Sequence, residues 1–284
     1  MSSVAIQNDS KLNQLQTLLP EGMVVDAAWM ERHGYSRQLR GQYVSAGWLE
    51  QPAGRVYWRP RGVLGWEAVV VSLQTLLDLP LVVGGRTALQ VQGASHYLAQ
   101  EMREVHLYGP VALPTWLAKL PLGVTFRHHN SDRLFRPGAS PSSPLSADFE
   151  VHRQAGWSAE SVKAVRQVTW GSWDLPMTLS TPERAFLELL DELPDRDTFH
   201  DADKLMEGLS NLSPRRLTHL LTECRSVKVK RLFFFFADRH QHAWAKHLRA
   251  ADFDLGAGKR VLVRGGKLDR RYQITVPEDL DGLS

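Results

Sequence analysis

The chain has 284 residues, of which 43% are hydrophobic and 23% charged, and its formal net charge is +3. A chain of this length and apolar content can bury a substantial core, and the length favours two domains. The single cysteine, Cys224, excludes an internal disulfide and a cysteine-rich zinc site. Because no apolar run reaches membrane-spanning length and no secretory signal is visible, we expect a cytoplasmic protein without a membrane partner.

Residues 1–62 are predicted to form a winged helix-turn-helix domain. Lys11 to Leu19 and Val24 to Arg32 carry apolar residues at helical spacing, which predicts two short helices. Gly34 provides the turn into a third helix, for which Ser36 is the predicted N-cap and Gly47 the stop. Two helices joined through a sharp glycine turn are typical of DNA-binding proteins.

The third helix has one apolar side and one hydrogen-bonding side. At ~100° per residue, Leu39, Tyr43 and Ala46 share the inner side. The outer side consists of Arg37, Gln38, Gly41, Gln42 and Ser45. Arg can bond bidentately to guanine and Gln to adenine in the major groove, and a glycine lets the backbone approach the bases. Arg40 lies at the edge of this face, where we expect a phosphate contact.

A basic, aromatic hairpin follows and is predicted to be the wing. Trp48 to Gln51 and Arg55 to Arg59 are the predicted strands, with residues 52–54 as the turn. Because Arg55 and Arg59 alternate with apolar residues, we expect both to face DNA phosphates. The predicted DNA-binding residues are Ser36, Arg37, Gln38, Arg40, Gln42, Arg55 and Arg59. The alternative is a winged helix used for protein contacts, since the fold alone does not fix function.

Residues 63–284 are predicted to form a larger mixed α/β domain, which makes the whole chain α+β. Helices are predicted at 66–77 and 114–119, after Gly84-Gly85, and from Thr181-Pro182 and Ser213-Pro214 onward. Residues 232–236 are also predicted to be helical, although their apolar spacing is equally compatible with a strand. The predicted strands are 81–83, 105–108, 124–127, 168–173, and 261–263 and 272–277 around Gly265-Gly266. Residues 138–144, rich in Pro and Ser, are predicted to be a mobile loop.

The positive charge is concentrated near the C-terminus. Thirteen Arg and Lys but only four Asp and Glu lie between Arg225 and Arg271. Such an excess can attract an anionic partner, although a solvated, solubilising face is an equal alternative. The candidate binding residues in this region are Lys228, Lys230, Arg231, Lys259 and Arg260.

Several segments in sequence order resemble the AbiEi antitoxins of type IV, abortive-infection toxin-antitoxin systems. Besides the winged helix, they are Val83 to Leu89 with Gly93 and His96-Tyr97, Ser180 to Ala185, Ser226 to Leu232, Leu255 to Arg260, and Tyr272 to Pro277. The resemblance covers nearly the whole chain and implies a repressor of its own operon. It also implies that the C-terminal domain counters a nucleotidyltransferase toxin, so that the basic residues above become a candidate antitoxin surface. Operator DNA and the toxin are the expected partners.

Two other interpretations remain open: a plain winged-helix regulator without a toxin, and a nucleotidyltransferase-like enzyme. Gly84-Gly85 resembles the phosphate-holding glycines of nucleotidyltransferases, but the next predicted strand, 105–108, carries no carboxylate pair for magnesium. Asp148 and Glu150 alternate but lie far along the chain. His240, His242 and His247 do not share one helix face, so we expect no metal site. We also expect no cofactor and, because the carboxylate pair is missing, no catalysis.

Overall fold

The computed structural model describes residues 11–93, 102–136, 164–170 and 175–281. The predicted loop at 138–144 and the residues Asp148 and Glu150 lie outside this part. The first elements are α1 (11–18), β1 (Val24–Asp26), α2 (Ala27–Arg32), α3 (Arg37–Ser45), β2 (Glu50–Ala53), β3 (Val56–Trp58) and α4 (Trp66–Thr75). The next are β4 (Val82–Val83), α5 (Gly85–Val91), β5 (Glu104–Tyr108), β6 (Thr125–His129) and α6 (Ser131–Leu134).

The remaining elements are β7 (Val165–Trp170), β8 (Leu175–Ser180), α7 (Pro182–Glu192), α8 (Phe199–Gly208), α9 (Pro214–Glu223), α10 (Val227–His240), β9 (Lys267–Asp269) and β10 (Ile274–Val276). Short 3-10 helices cover Leu117–Lys119, Ala243–His247, Ala250–Asp252 and Glu278–Asp281. The predicted α+β class, with an N-terminal winged helix and a larger mixed C-terminal region, is confirmed. Within the described ranges, no helix is both long and apolar enough to cross a membrane.

The second predicted helix begins three residues later than the apolar spacing indicated. Val24–Asp26 is strand β1, which pairs antiparallel with β3 in a sheet of order β1-β3-β2. Asp26 then accepts a hydrogen bond from the backbone N–H of Trp29 at 2.7 Å and caps α2. The β-branched pair at Val24 and Val25 is buried in this sheet, so the tertiary pairing overrides the local helical spacing.

Helix α3 begins and ends where its caps predict. The Ser36 hydroxyl accepts from the Leu39 N–H at 3.3 Å. Gly47, at φ +77°, reverses the chain after α3, and the Trp48 N–H bonds back to the Tyr43 carbonyl at 2.9 Å. The hairpin turn differs from the prediction, because residues 52–53 belong to β2 and the turn is Gly54-Arg55, with Arg55 at φ +65°.

The C-terminal region is built on a five-stranded sheet of order β6-β5-β4-β8-β7. Strand β4 pairs antiparallel with β5 and parallel with β8. The outer pairs are parallel for β5 with β6 and antiparallel for β7 with β8. Helix α7 packs against α5, α9 and α10, and its residues from Glu183 to Leu190 are all buried. This sheet and these helices position the C-terminal basic residues.

Helix α4 packs against both the N-terminal sheet and the five-stranded sheet. The Ser72 hydroxyl accepts from the Val24 N–H of β1 at 2.9 Å. The Gln74 amide donates to the Leu81 and Thr178 carbonyls at 2.9 and 2.8 Å and accepts from the Thr178 N–H at 2.9 Å. The boundary after residue 62 stays a prediction, and α4 joins the regions on either side of it through these bonds.

The C-terminal strands only partly match the prediction. Residues 261–263 form no strand, because the Thr275 side chain takes the place of a pairing strand and accepts from the Leu262 and Val263 N–H groups at 2.8 and 2.9 Å. The antiparallel partner of β10 is instead β9, after the glycines at 265 and 266. Residues 232–236 are helical, inside α10.

Candidate nucleic-acid interface and C-terminal basic residues

The exposed face of α3 is the hydrogen-bonding face that the sequence predicts. Arg37, Gln38, Gly41, Gln42 and Ser45 are all exposed. On the opposite side Tyr43 is buried and Leu39 packs against the core, whereas Ala46, predicted to face inward, is exposed. An added Cβ at Gly41 would meet no atom within 4 Å, so α3 can approach another surface closely there.

A cleft of about 730 Å³ lies between α3 and the hairpin. Arg37, Gly41 and Ser45 line it from α3, and Gln51 and Arg55 line it from the hairpin. Arg55 is exposed at the turn, so its cation is free to extend past the hairpin. Gln51 was not a predicted site residue, because only the folded hairpin brings it opposite α3. Side-chain hydrogen-bond donors from α3 and from the hairpin therefore line the same cleft and can contact one ligand.

Arg40 does not lie on the outer edge of α3, which corrects the expectation of a phosphate contact. It is only 4% exposed. Its guanidinium donates to the carbonyls of Ala27 and Tyr35 at 3.3 and 3.1 Å and pairs with Glu31 at 3.0 Å. It also lies over the ring of Tyr57, 5.5 Å from the ring centroid. Arg40 therefore fastens α3 to α2 and to the hairpin.

Arg59 has a similar internal role, which corrects the second expected phosphate contact. Its guanidinium donates to the carbonyls of Gln16 and Leu19 at 2.8 and 2.9 Å, at the end of α1. It also pairs with the Glu21 carboxylate at 3.3 Å. Cations near the last carbonyls of a helix satisfy groups that have no partner inside the helix. The hydrogen-bonding capacity of Arg59 is thus used within the protein.

Three of the five predicted C-terminal basic residues are turned into the protein. Lys230 and Arg231 are 6% and 3% exposed. Arg231 donates to the carbonyls of Leu255, Gly258 and Gln273 at 2.7, 2.7 and 3.3 Å and so holds the segment that follows α10. Burial lowers the pKa of Arg231, without removing its charge at neutral pH.

Lys228, on the same helix, caps the end of α7. Its ammonium donates to the carbonyls of Asp191 and Leu193 at 2.5 and 2.9 Å. These three cations cannot form an open binding surface, because α10 is packed on nearly all sides. Lys259 and Arg260, in contrast, are exposed. Arg264 and Arg270 belong to the same part of the chain and are also exposed, although neither was singled out from the sequence.

The Gly84-Gly85 corner is filled by protein groups. The Gly85 N–H, at the start of α5, donates to the Glu188 carboxylate at 2.9 Å. A Cβ on Gly84 would lie 2.3 Å from a Glu188 carboxylate oxygen and 2.4 Å from the Tyr108 ring, which explains the glycine. Glu188 is fully buried and pairs with Arg184 at 2.8 Å. The amide that could hold a phosphate in an enzyme is occupied here by a carboxylate.

The histidines near the end of α10 make protein contacts. His240 bonds the Asp203 carboxylate at 2.8 Å, and the ring of His242 bonds the Met206 carbonyl at 2.8 Å. His247 is exposed. No group of three or more metal-ligating side chains occurs in the portion that the structure describes. Cys224 is buried, and burial raises the pKa of its thiol to about 11.

Comparison with known proteins gives two family matches and similar folds among the solved structures. Residues 102–277 match a family described as a transcriptional regulator, AbiEi antitoxin, of type IV toxin-antitoxin systems, and residues 8–100 match its N-terminal domain. The crystal structure of the RV2827C protein from Mycobacterium tuberculosis is similar, with a TM-score of 0.55 at 15% identity, covering 93% of this chain and 89% of that one.

A comparison with curated proteins finds no match. The structural similarity extends over almost the whole chain, and at 15% identity it supports the fold alone. The family matches together span the chain from residue 8 to residue 277, with only residue 101 between them. The chain belongs to the AbiEi antitoxins, the transcriptional regulators of type IV toxin-antitoxin systems.

Proposed function

We propose that the protein represses its own operon by binding promoter DNA through α3 and the β2–β3 hairpin. The observation that carries this proposal is the exposed row of Arg37, Gln38 and Gln42 on α3, next to Arg55 on the hairpin. Arg and Gln are the side chains that read guanine and adenine edges, and the cleft between α3 and the hairpin adds a cation suited to a phosphate. Ser36 caps α3 and is itself exposed at the start of the helix.

Electrophoretic mobility shifts with the DNA upstream of the reading frame test this proposal. Arg37→Ala should weaken binding to the preferred sequence by about 1–3 kcal/mol and relax sequence preference, because it removes a base contact. Arg55→Ala should weaken all sequences alike, because it removes a phosphate contact. Arg133→Ala, at an exposed arginine of α6, is the matched control. The proposal fails if the full chain ignores this DNA, or if Arg37→Ala binds like the control.

We further propose that the C-terminal region counteracts a nucleotidyltransferase toxin. The support is the family membership and the exposed cations Lys259 and Arg260. Lys228, Lys230 and Arg231 face inward and no longer belong to the candidate surface. An anionic surface, on the toxin or on the nucleic acid that the toxin modifies, is the expected counterpart. Because Gly85 is engaged by Glu188, we propose no nucleotide transfer by this chain itself.

Growth of cells that express the neighbouring toxin tests this second role. Lys259→Glu combined with Arg260→Glu should lose rescue, while Arg133→Glu should keep it. Circular dichroism of each purified variant checks that the fold is intact. Full rescue by the folded double variant would show that these cations are a solvated face. If the adjacent reading frame encodes no nucleotidyltransferase, the plain regulator is the better description.

A further inference from the structure

A second cleft, of about 660 Å³, lies in the C-terminal region between α5, β5 and the start of α8. Its walls carry arginines, carboxylates and one histidine. Arg86, from α5, is paired with the carboxylates of Asp197 and Asp201. Clefts of 300–1,000 Å³ are the usual size of small-molecule sites, and a wall of charged groups suits a polar ligand. Neither proposed function uses this cleft.

A row of hydrogen-bonded side chains ends at the cleft. The Glu192 carboxylate lies 3.0 Å from His129 Nδ1, and His129 Nε2 lies 3.0 Å from His106 Nδ1. The rings of Tyr108, His129 and His106 are stacked along this row, with centroids 4.4 and 5.1 Å apart. Three elements, β5, β6 and α7, supply the members, so the row is built into the fold.

This row of hydrogen-bonded side chains determines whether His106 presents a hydrogen-bond donor or an acceptor to the cleft. Burial and the neighbouring His129 lower the pKa of His106 to about 4, so its ring is neutral at physiological pH. When His129 is neutral and donates from Nδ1 to Glu192, its Nε2 accepts a hydrogen bond from the Nδ1–H of His106. His106 Nε2 is then a lone-pair acceptor. His106 is 5% exposed and lines the cleft.

His106 Nε2 has no hydrogen-bond partner among the described side chains and backbone. The Glu104 carboxylate lies 3.8 Å away, beyond hydrogen-bond distance, and is itself bonded to Arg127 at 2.6 Å. The hydrogen bond at Nδ1 fixes the orientation of the His106 ring, and its unpartnered Nε2 can accept a hydrogen bond from a ligand hydroxyl. In a residue this buried, such an acceptor usually has a partner.

Among the described residues, the charges at the cleft leave one cation, Arg103, without an ion pair. Arg196 pairs with Glu192 at 3.2 Å, and Arg86 is balanced by its two carboxylates. Arg103 is exposed at the rim and forms no ion pair within the described ranges. The cleft therefore combines one unpaired guanidinium at its rim with one neutral acceptor, His106 Nε2, at depth.

We propose that this cleft binds a sugar phosphate, either free or as part of a mononucleotide. Arg103 contacts the phosphate, because a guanidinium forms paired hydrogen bonds to phosphate oxygens. A sugar hydroxyl donates to His106 Nε2, and the carboxylates of Glu104 and Asp201 can accept from further hydroxyls. Inorganic phosphate can contact Arg103 at the rim but brings no sugar hydroxyl to His106, so it should bind more weakly than a sugar phosphate.

Isothermal titration calorimetry of the full chain tests the proposal with four probes: ribose 5-phosphate, AMP, CMP and inorganic phosphate. We expect ribose 5-phosphate or a mononucleotide to bind with a dissociation constant below about 1 mM, and inorganic phosphate to bind at least about tenfold more weakly. Binding of ribose 5-phosphate as tight as that of AMP and CMP identifies the free sugar phosphate, and tighter binding of AMP or CMP identifies the nucleotide. Absence of binding by all three esters, or equal binding of inorganic phosphate, overturns the proposal.

Variants separate this site from a non-specific anion surface. Arg103→Ala should weaken binding of the best probe at least about tenfold, while Arg133→Ala should leave it unchanged. The side-chain ¹⁵N resonance of His106 Nε2, assigned with His106→Gln, should move toward the hydrogen-bonded position when the probe is added. Equal affinity of Arg103→Ala and Arg133→Ala, or an unchanged His106 resonance at saturation, contradicts the assignment. The resonance is measured on the unmodified protein, so it remains decisive if His106→Gln does not fold.

Discussion

Arg37 and Arg40 lie three residues apart on α3, yet their surroundings give them different roles. Arg37 is exposed beside the cleft, whereas Arg40 is buried against Tyr57 and bonded to two backbone carbonyls. The sequence could place both on or near the polar side of the helix. It could not show that the carbonyls of Ala27 and Tyr35 lie within reach of Arg40, because that depends on how α2 packs against α3.

Arg40→Ala should therefore lower the free energy of unfolding by about 2–4 kcal/mol, since it leaves two carbonyls unsatisfied and empties a packed site. Arg37→Ala should change stability by less than about 0.5 kcal/mol, since it is exposed. Urea denaturation followed by tryptophan fluorescence measures both values. Equal stability of the two variants would contradict the internal role of Arg40.

His106 gives the protein an acid-sensitive element. Its pKa is lowered to about 4 in the folded chain, mainly by burial, so the unfolded chain takes up a proton first as the pH falls. Its contribution to stability is constant above the ordinary histidine pKa of about 6.5 and is lost as the pH falls toward 4. Glu192, Glu104, His129 and Arg86 are the charged or titratable groups that act on it.

Between pH 7 and pH 5 this site should account for a loss of about 2 kcal/mol in the free energy of unfolding. His106→Gln should remove most of that loss, while His247→Gln, at an exposed histidine, should keep it. Urea denaturation at the two pH values provides the measurement. If His106→Gln loses as much stability as the unchanged protein, other groups cause the acid sensitivity.

Two glycines in different elements illustrate opposite constraints. Gly41 lies on the exposed face of α3 with no atom near its missing Cβ, whereas Gly84 follows β4 and lies against Tyr108 and Glu188. Gly41→Ala should raise the free energy of unfolding by up to about 1 kcal/mol, because alanine is the better helix former. It should also weaken promoter binding, because the new methyl group separates α3 from the bases.

Gly84→Ala should instead destabilise the chain by more than about 3 kcal/mol, because its methyl group would overlap a buried carboxylate and a ring. Thermal melts and mobility shifts of the two variants compare these effects. A Gly41→Ala variant that is more stable and binds DNA normally would argue that this face of α3 does not approach DNA.

The elements that the sequence predicted well are those with local signals. Caps at Ser36, Thr181 and Ser213 mark helices whose starts match the structure. Strand β1 was missed because its partner β3 is distant in the sequence. The predicted strand at 261–263 is wrong because the Thr275 side chain takes the place of its pairing strand, whereas β10 lies within the predicted strand 272–277. Helix α8 was not predicted at all, although Thr198 caps it.

The same limit applies to the candidate sites. Burial of the cations on α10 follows from packing against α7, α8 and the following loop, and no period in the sequence shows it. His106 and His129 lie 23 positions apart in the sequence, and only the parallel pairing of β5 with β6 brings their rings together. Charge counts locate cations along the chain, whereas tertiary structure decides which of them face solvent.

At the scale of the whole molecule, two groups of exposed cations carry the proposed functions. One group lies around the cleft beside α3, and the other, which includes Lys259 and Arg260, lies after α10. Helix α4 joins the two regions through Ser72 and Gln74, so both are held by one continuous core. This arrangement allows the proposed DNA binding and the proposed toxin neutralisation to use separate cations of the same molecule.

Salt dependence can separate the two groups. Removing one cation that binds a phosphate should reduce the slope of log affinity against log salt concentration by about 1, because fewer counterions are released from DNA. Arg55→Ala should therefore lower the slope for promoter binding. Lys259→Ala combined with Arg260→Ala should leave affinity and slope unchanged if these residues serve the toxin. A slope reduced by about 2 in that double variant would place the C-terminal cations on DNA and would reject their assignment to a separate antitoxin surface.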